Sequence, residues 1–280
     1  MKKKDEKFAV VVAHPDDEIL FASSIIEKAS QIFICFSDIK VEQEIHILQN
    51  IGRKNIKKKY PLENITFLGL TQASNKNAKK IDWDNVTETV YGAKGTRNED
   101  EYKSNFYKLY NKLIKELGKF DKVFTHNPWG EYGHVEHIQV YRCVSKLRDL
   151  IGFQMYVFGY LSRKTINFSC LKLKNFDSFS FKIKNNYDLF HRIEDLYIKE
   201  KAWTWMHNYK PPEYEFFYED KTQKNLSINR KSNLHILNYI YHPAFSKRVR
   251  CCAVNIDNVL IKFFMLQNKF FFKLRVLFLK

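Results

Sequence analysis

The chain has 280 residues with 47 Lys+Arg against 31 Asp+Glu, a formal net charge of +16, 45% hydrophobic residues and 28% charged. With only 9 Gly and 6 Pro, this composition excludes a disordered, collagen-like or repeat chain and allows one large core or a core with an appendage. The first apolar run, Phe8 to Ala13, is too short for a signal core, and no uncharged apolar run reaches the ~18 residues of a spanning helix. The expected compartment is therefore cytoplasmic, with reduced thiols at Cys35, Cys143, Cys170, Cys251 and Cys252, none of which forms a CxxC pair.

Phe8 to Ala13 reads as a strand buried on both faces, followed by helical spacing from Asp16 to Ser30. The alternation continues with strand Gln31 to Ser37, helix Val41 to Lys54 and strand Ile65 to Leu70. After a long loop, Lys76 to Arg97, come helix Glu101 to Leu117, strand Lys122 to His126, helix His134 to Leu150 and strand Met155 to Leu161. This order predicts an α/β fold, a Rossmann-like and mostly parallel sheet flanked by helices. From Phe168 to Lys184 the pattern turns strand-like, and a helix is expected from Asp188 to His207, so the C-terminal part is read as antiparallel strands and helices. The expected organisation is a core over 1–162, a substrate-shaping extension over 163–258 and a basic amphipathic helix over 259–280.

Two polar clusters follow two of these strands: His14-Pro15-Asp16-Asp17-Glu18 after the first, and His126-Asn127-Pro128-Trp129-Gly130-Glu131-Tyr132-Gly133-His134-Val135-Glu136-His137 after Lys122 to Thr125. Ligands bind outside the carboxyl ends of strands in open α/β sheets, so both clusters can meet in one crevice. His14, Asp17 and His137 then make two imidazoles and one carboxylate, the donor set of a catalytic zinc with an open position. Asp16 is placed as general base, Tyr132 as an oxyanion donor and His134 as donor to the leaving group or the oxyanion, while Glu136 is the natural partner for an imidazole N–H. His126 is either a pocket residue or a satisfied structural histidine. Trp129 either stacks on a sugar face or packs its loop. Trp205 and His207 line an acceptor pocket or belong to the core.

These two motifs resemble the PIG-L/LmbE family of zinc-dependent N-deacetylases, over about residues 7 to 160. The resemblance implies a Rossmann-like fold, zinc held by His14, Asp17 and His137, Asp16 as the base, Tyr132 and His134 as assisting groups, and removal of acetyl from an N-acetylglucosamine-type sugar on a glycoconjugate. Val135 and Glu136 stand where the family usually has Pro and Asp, and the second strand ends in Phe36-Ser37-Asp38-Ile39 instead of Thr-Asp-Gly. Asp38 is carried over as a substrate contact. The arginine common before the next helix's glutamate is not evident near Val41 to Glu44.

Residues 259–280 combine fifteen apolar and five basic residues with no acid. As a helix they suit an anionic membrane surface, a partner or the core. The resulting expectation is an N-acetylated amino-sugar hydrolase, peripheral on the inner membrane surface if that helix binds lipid, with no nucleic-acid partner. The competing readings are a non-haem iron(II) oxygenase, which uses the same triad, and a non-catalytic basic module that binds membrane or nucleic acid.

Overall fold

Strand β1 (Phe8–Val12) lies near the middle of the sheet because Ala9, Val10, Val11 and Val12 are fully buried on both faces. In this computed structural model we describe residues 6–75, 81–95, 97–173, 176, 180–206, 209–221 and 237–240, all within the unit Met1–His242. The elements in chain order are α1 (Asp17–Ala22), β2 (Gln31–Ile34), α2 (Glu44–Lys59), β3 (Ile65–Phe67), β4 (Glu88–Thr89), β5 (Gly92–Ala93), α3 (Glu99–Leu117), β6 (Lys122–Thr125), α4 (Val135–Ile151), β7 (Gln154–Phe158) and β8 (Tyr160–Leu161). They are followed by α5 (Ile166–Lys172), β9 (Phe181–Lys184), α6 (Tyr187–Lys199), β10 (Tyr214–Glu219) and β11 (Asn238–Tyr239). The expected helix over 259–280, His207, Cys251 and Cys252 lie outside the described residues.

Among the described residues the main sheet runs β3-β2-β1-β6-β7-β10-β9. The first five strands are parallel, and β10 and β9 close the edge in antiparallel pairing. This is the α/β architecture read from the sequence, a mostly parallel sheet with an antiparallel C-terminal part. Alternate side chains of β1 feed two cores. Val10 and Val12 pack with α1, α6 and Ile56 of α2, whereas Ala9 and Val11 pack with α3 and α4. Strand order reverses between β1 and β6, and a crevice opens at the carboxyl ends of such a pair.

Several boundaries differ from expectation. Helix α2 starts later and runs to Lys59. It stops there because Pro61 pushes Tyr60 into extended backbone, while Lys57, Lys58 and Lys59 favour the negative helix end. The strand-like stretch from Phe168 begins instead as a helix, α5. A turn from Ser162 to Thr165, in which the Ser162 N–H donates to Thr165 Oγ1 at 3.2 Å, starts it, and strand geometry returns only at Phe181. Helix α6 ends at Lys199 rather than His207, since Lys201 adopts left-handed backbone (φ 58°) and turns the chain back toward the sheet. The long 76–97 segment contains the small β4–β5 hairpin.

Candidate active site

The turn after β1 carries His14 to Asp17 into the crevice, with Asp16 in left-handed backbone (φ 89°). The Asp17 carboxylate holds this turn together: its Oδ2 accepts the His14 N–H at 2.7 Å and lies 3.1 Å from His14 Nδ1. The same oxygen is 3.2 Å from His137 Nε2, on the first turn of α4. Burial alone would raise the Asp17 carboxyl, but the His137 and His14 rings hold it well below the usual carboxylate range. For Asp16 both burial and the neighbouring Asp17 charge act upward, to about 7. The Asp16 Oδ2 is fixed by Thr204, which donates its N–H at 3.0 Å and its hydroxyl at 2.6 Å.

The loop between β6 and α4 is built on polar self-satisfaction. Asn127 donates to the carbonyls of Phe158 and Tyr160, both at 2.9 Å, and its Oδ1 accepts the Glu131 N–H at 2.9 Å. Gly133 turns at φ 82° against the Trp83 ring, where a Cβ would come within 2.8 Å of the indole. Glu131 is fully buried in left-handed backbone (φ 52°), its carbonyl accepting the Thr165 hydroxyl at 2.9 Å. Its carboxylate gathers three donors. Oε1 takes the Asn127 N–H at 3.0 Å, and Oε2 lies 3.0 Å from His126 Nδ1 and 2.7 Å from His137 Nδ1.

Tautomers follow from these contacts. The Ala13 N–H donates to His126 Nε2 at 2.8 Å, so His126 carries its proton on Nδ1, toward Glu131, and both of its nitrogens are used. His137 likewise puts its Nδ1 proton on Glu131 and leaves the Nε2 lone pair directed into the site. His14 Nε2, His134 Nδ1 and His137 Nε2 are buried without a hydrogen-bond partner, and these three residues present ligand atoms within 4.8 Å of one another. Asp17, His126 and His137 form a second such group. Unbonded imidazole nitrogens beside a carboxylate fit a divalent cation of the zinc type, because the metal would satisfy lone pairs that the protein does not.

Each expected site residue has a definite place. His14, Asp16, Asp17, Tyr132 and His134 line one pocket of about 170 Å³, together with Leu20, Ile39, Arg53, Gln72, Thr204 and Trp205. Burial, with the adjacent His14 and His137 rings, lowers His134 well below its ordinary value and keeps it neutral. Glu136 Oε2 pairs with Arg97 Nη2 at 2.7 Å and stands 3.4 Å from His134 Nδ1 and 3.6 Å from His14 Nε2. Asp38 is half-buried beside the pocket, with its neighbour Ile39 forming the wall. Trp129 packs its loop: it is 1% exposed and its indole N–H donates to the Tyr160 carbonyl at 2.7 Å. His126 is completely buried behind His137, with ring centroids 3.9 Å apart.

Five polar contributors were not anticipated: Arg53, Gln72, Thr204, Arg97 and Glu131. Arg53 reaches the pocket from the buried face of α2, where it lies with Gly52 and Ile56. Its signal was a lone arginine on an otherwise apolar helix face. Glu131 stood inside a motif already singled out, between two glycines. Thr204 had no sequence signal, since it meets Asp16 across 188 residues.

Over residues 9–147 the chain matches the family model described as PIG-L, GlcNAc-PI de-N-acetylase. It is 27% identical over 201 residues to an uncharacterised protein of Acanthamoeba polyphaga mimivirus, covering 69% of this chain and 80% of that one. In fold it is similar to an antimicrobial pseudoaglycone deacetylase, with a TM-score of 0.50, 8% identity and coverage of 78% of this chain and 97% of that one. A deacetylase of teicoplanin biosynthesis gives a TM-score of 0.49 at 10% identity, covering 76% and 96%. The two motif clusters, their meeting at the β1/β6 reversal and the family match agree, and residues 9–147 of the chain form a domain of the PIG-L family.

Proposed function

We propose that the protein is a zinc-dependent hydrolase that removes the N-acetyl group from an N-acetylglucosamine-type sugar on a glycoconjugate, releasing acetate. The observation that carries this reading is the pair of unbonded buried nitrogens at His14 and His137, set beside two carboxylates of opposite tuning, Asp16 and Asp17. His14, Asp17 and His137 would hold the ion, which when bound would acidify a water and polarise the acetamide carbonyl. Asp16 would take the proton from the attacking water, its carboxylate kept in one orientation by the two Thr204 donors. The phenol of Tyr132, whose pKa burial keeps well above its ordinary value, remains a proton donor to the developing oxyanion. His134, neutral at rest, accepts the proton that Asp16 has taken from the water and passes it to the departing amine. Arg53, Gln72 and Trp205 form the wall that meets the sugar.

Asp16→Asn keeps the Thr204 contacts but removes the base. Acetate release from N-acetylhexosamine glycosides should drop by roughly 10²-fold or more, while bound zinc, measured by elemental analysis, stays at the wild-type level. Full acetate release by the variant would overturn the role of Asp16. Zinc-free wild-type protein that is fully active would overturn the metal.

A further inference from the structure

Helix α2 has an outer face that the hydrolase reading leaves unused. Of the eleven large hydrophobic residues exposed among the described residues, five lie between 41 and 51: Val41 (56%), Ile45 (51%), Ile47 (48%), Leu48 (50%) and Ile51 (52%). Three of the four on the helix share one face at spacings of three and four, Leu48 with Ile51 and Ile47 with Ile51, while Ile45, seven residues before Gly52, is exposed at the helix start on the other side. The same stripe continues through Lys54 and Lys58, with Lys57 alongside, and none of these three lysines has an ion pair among the described residues. The opposite face, Gly52, Arg53 and Ile56, is buried. The core does not require this arrangement, since a helix that only had to cover Ile56 would carry polar residues at 47, 48 and 51.

We infer that this face docks on an anionic lipid surface, with Ile47, Leu48 and Ile51 entering the headgroup boundary and Lys54, Lys57 and Lys58 meeting lipid phosphates. Charge selects this occupant over a second copy of the chain. A parallel two-fold pairing of the face would set one lysine row against another in a molecule that already carries +16, whereas an anionic surface neutralises both the row and the net charge. The face also borders the pocket. Asn50 of α2 accepts the Ile39 N–H and donates to the Ile39 carbonyl, both at 2.8 Å, and Ile39 is part of the pocket wall. Docking would therefore place the mouth of the site beside the lipid, and under the proposed hydrolase reading the acetylated sugar would be lipid-linked. The contact itself does not depend on that reading, because it is measured without substrate.

The test is sedimentation of the full chain with phosphatidylcholine vesicles, with and without phosphatidylglycerol. The wild-type protein should bind only the phosphatidylglycerol vesicles and be released by salt. Ile47→Asp/Ile51→Asp and, separately, Lys54→Glu/Lys58→Glu should each lower partitioning by about tenfold or more, lysines contributing ~1 kcal/mol each near such a surface. Val90→Asp, at a residue 70% exposed on the β4–β5 hairpin, should leave binding unchanged. All three variants should retain the wild-type circular-dichroism spectrum and hydrolysis of a water-soluble glycoside, so loss of docking is distinguished from failure of the hydrolase reading. Absence of vesicle binding by the wild type overturns the proposal, as does binding that survives both α2 variants, which assigns it to another segment. A wild-type dimer that the α2 variants convert to monomer also overturns it, in favour of a second copy.

Discussion

At the scale of single residues, the site depends on where protons are held. Glu131 is the residue on which His137 depends, because one carboxylate oxygen receives both His126 and His137 while the other receives a backbone amide. In Glu131→Gln an NH₂ group must face either the Asn127 N–H or the two Nδ1 atoms. The second arrangement forces the His137 proton onto Nε2 and removes the lone pair aimed into the site. Zinc affinity, measured by competition with a chelator, should fall ~10–100-fold, with the fold retained. An affinity within about twofold of wild type would mean that His137 is oriented by something else. His14, Asp16 and Asp17 were legible in the sequence because they are contiguous and sit at a strand end. Arg53 and Thr204 were not, because helix α2 and the chain reversal at Lys201 bring them to the pocket from distant parts of the sequence.

Helix α2 shows how one element serves two surfaces. Its inner face approaches the chain beyond α6 so closely that a Cβ on Gly52 would stand 2.3 Å from the Glu200 carbonyl oxygen and 3.2 Å from the Ala202 Cβ. Alanine would gain ~1 kcal/mol of helix propensity. Forcing the helix off a backbone carbonyl costs ~1–3 kcal/mol or more, and the clash wins. Gly52→Ala should therefore lower the urea midpoint and, by shifting Arg53, raise KM more than it lowers kcat; a stabilised variant would contradict this packing. The existence of the elements was readable from hydrophobic period, as at β1 and α3. Their ends were set elsewhere: α2 by Pro61, α5 by the Ser162–Thr165 turn, α6 by the left-handed Lys201. No apolar pattern carries that information, because a cap or a backbone reversal is specified by one or two residues.

The molecule as a whole is held across the sheet by buried polar contacts as well as by its two cores. Glu215 of β10 is fully buried and accepts from Ser23, Ser24 and Tyr160, joining the antiparallel edge to the end of α1. Burial pushes its carboxyl up from 4.5 to about 7. Between those values the folded protein holds a proton that the unfolded chain has released, so the Glu215 contribution to stability falls as pH rises from about 5 to about 8, by up to about 3 kcal/mol. Glu215→Gln has no such charge to bury. In denaturant titrations at pH 5.5 and 8, wild type should lose more stability than the variant over this interval; equal losses, or a wild type that gains relative to the variant, would refute the assignment. Sequence alone determined the α/β class, the two chemical clusters and the family resemblance, because β-branched runs, helical period and contiguous motifs are local. Only the tertiary structure decided which imidazole nitrogens remain unbonded, that Glu131 links His126 to His137, that Trp129 packs its loop, and that Arg53 and Thr204 complete the pocket. Each of those outcomes depends on contacts between segments far apart in the chain, and the hydrogen-bond balance of a buried site is a property of all of them together.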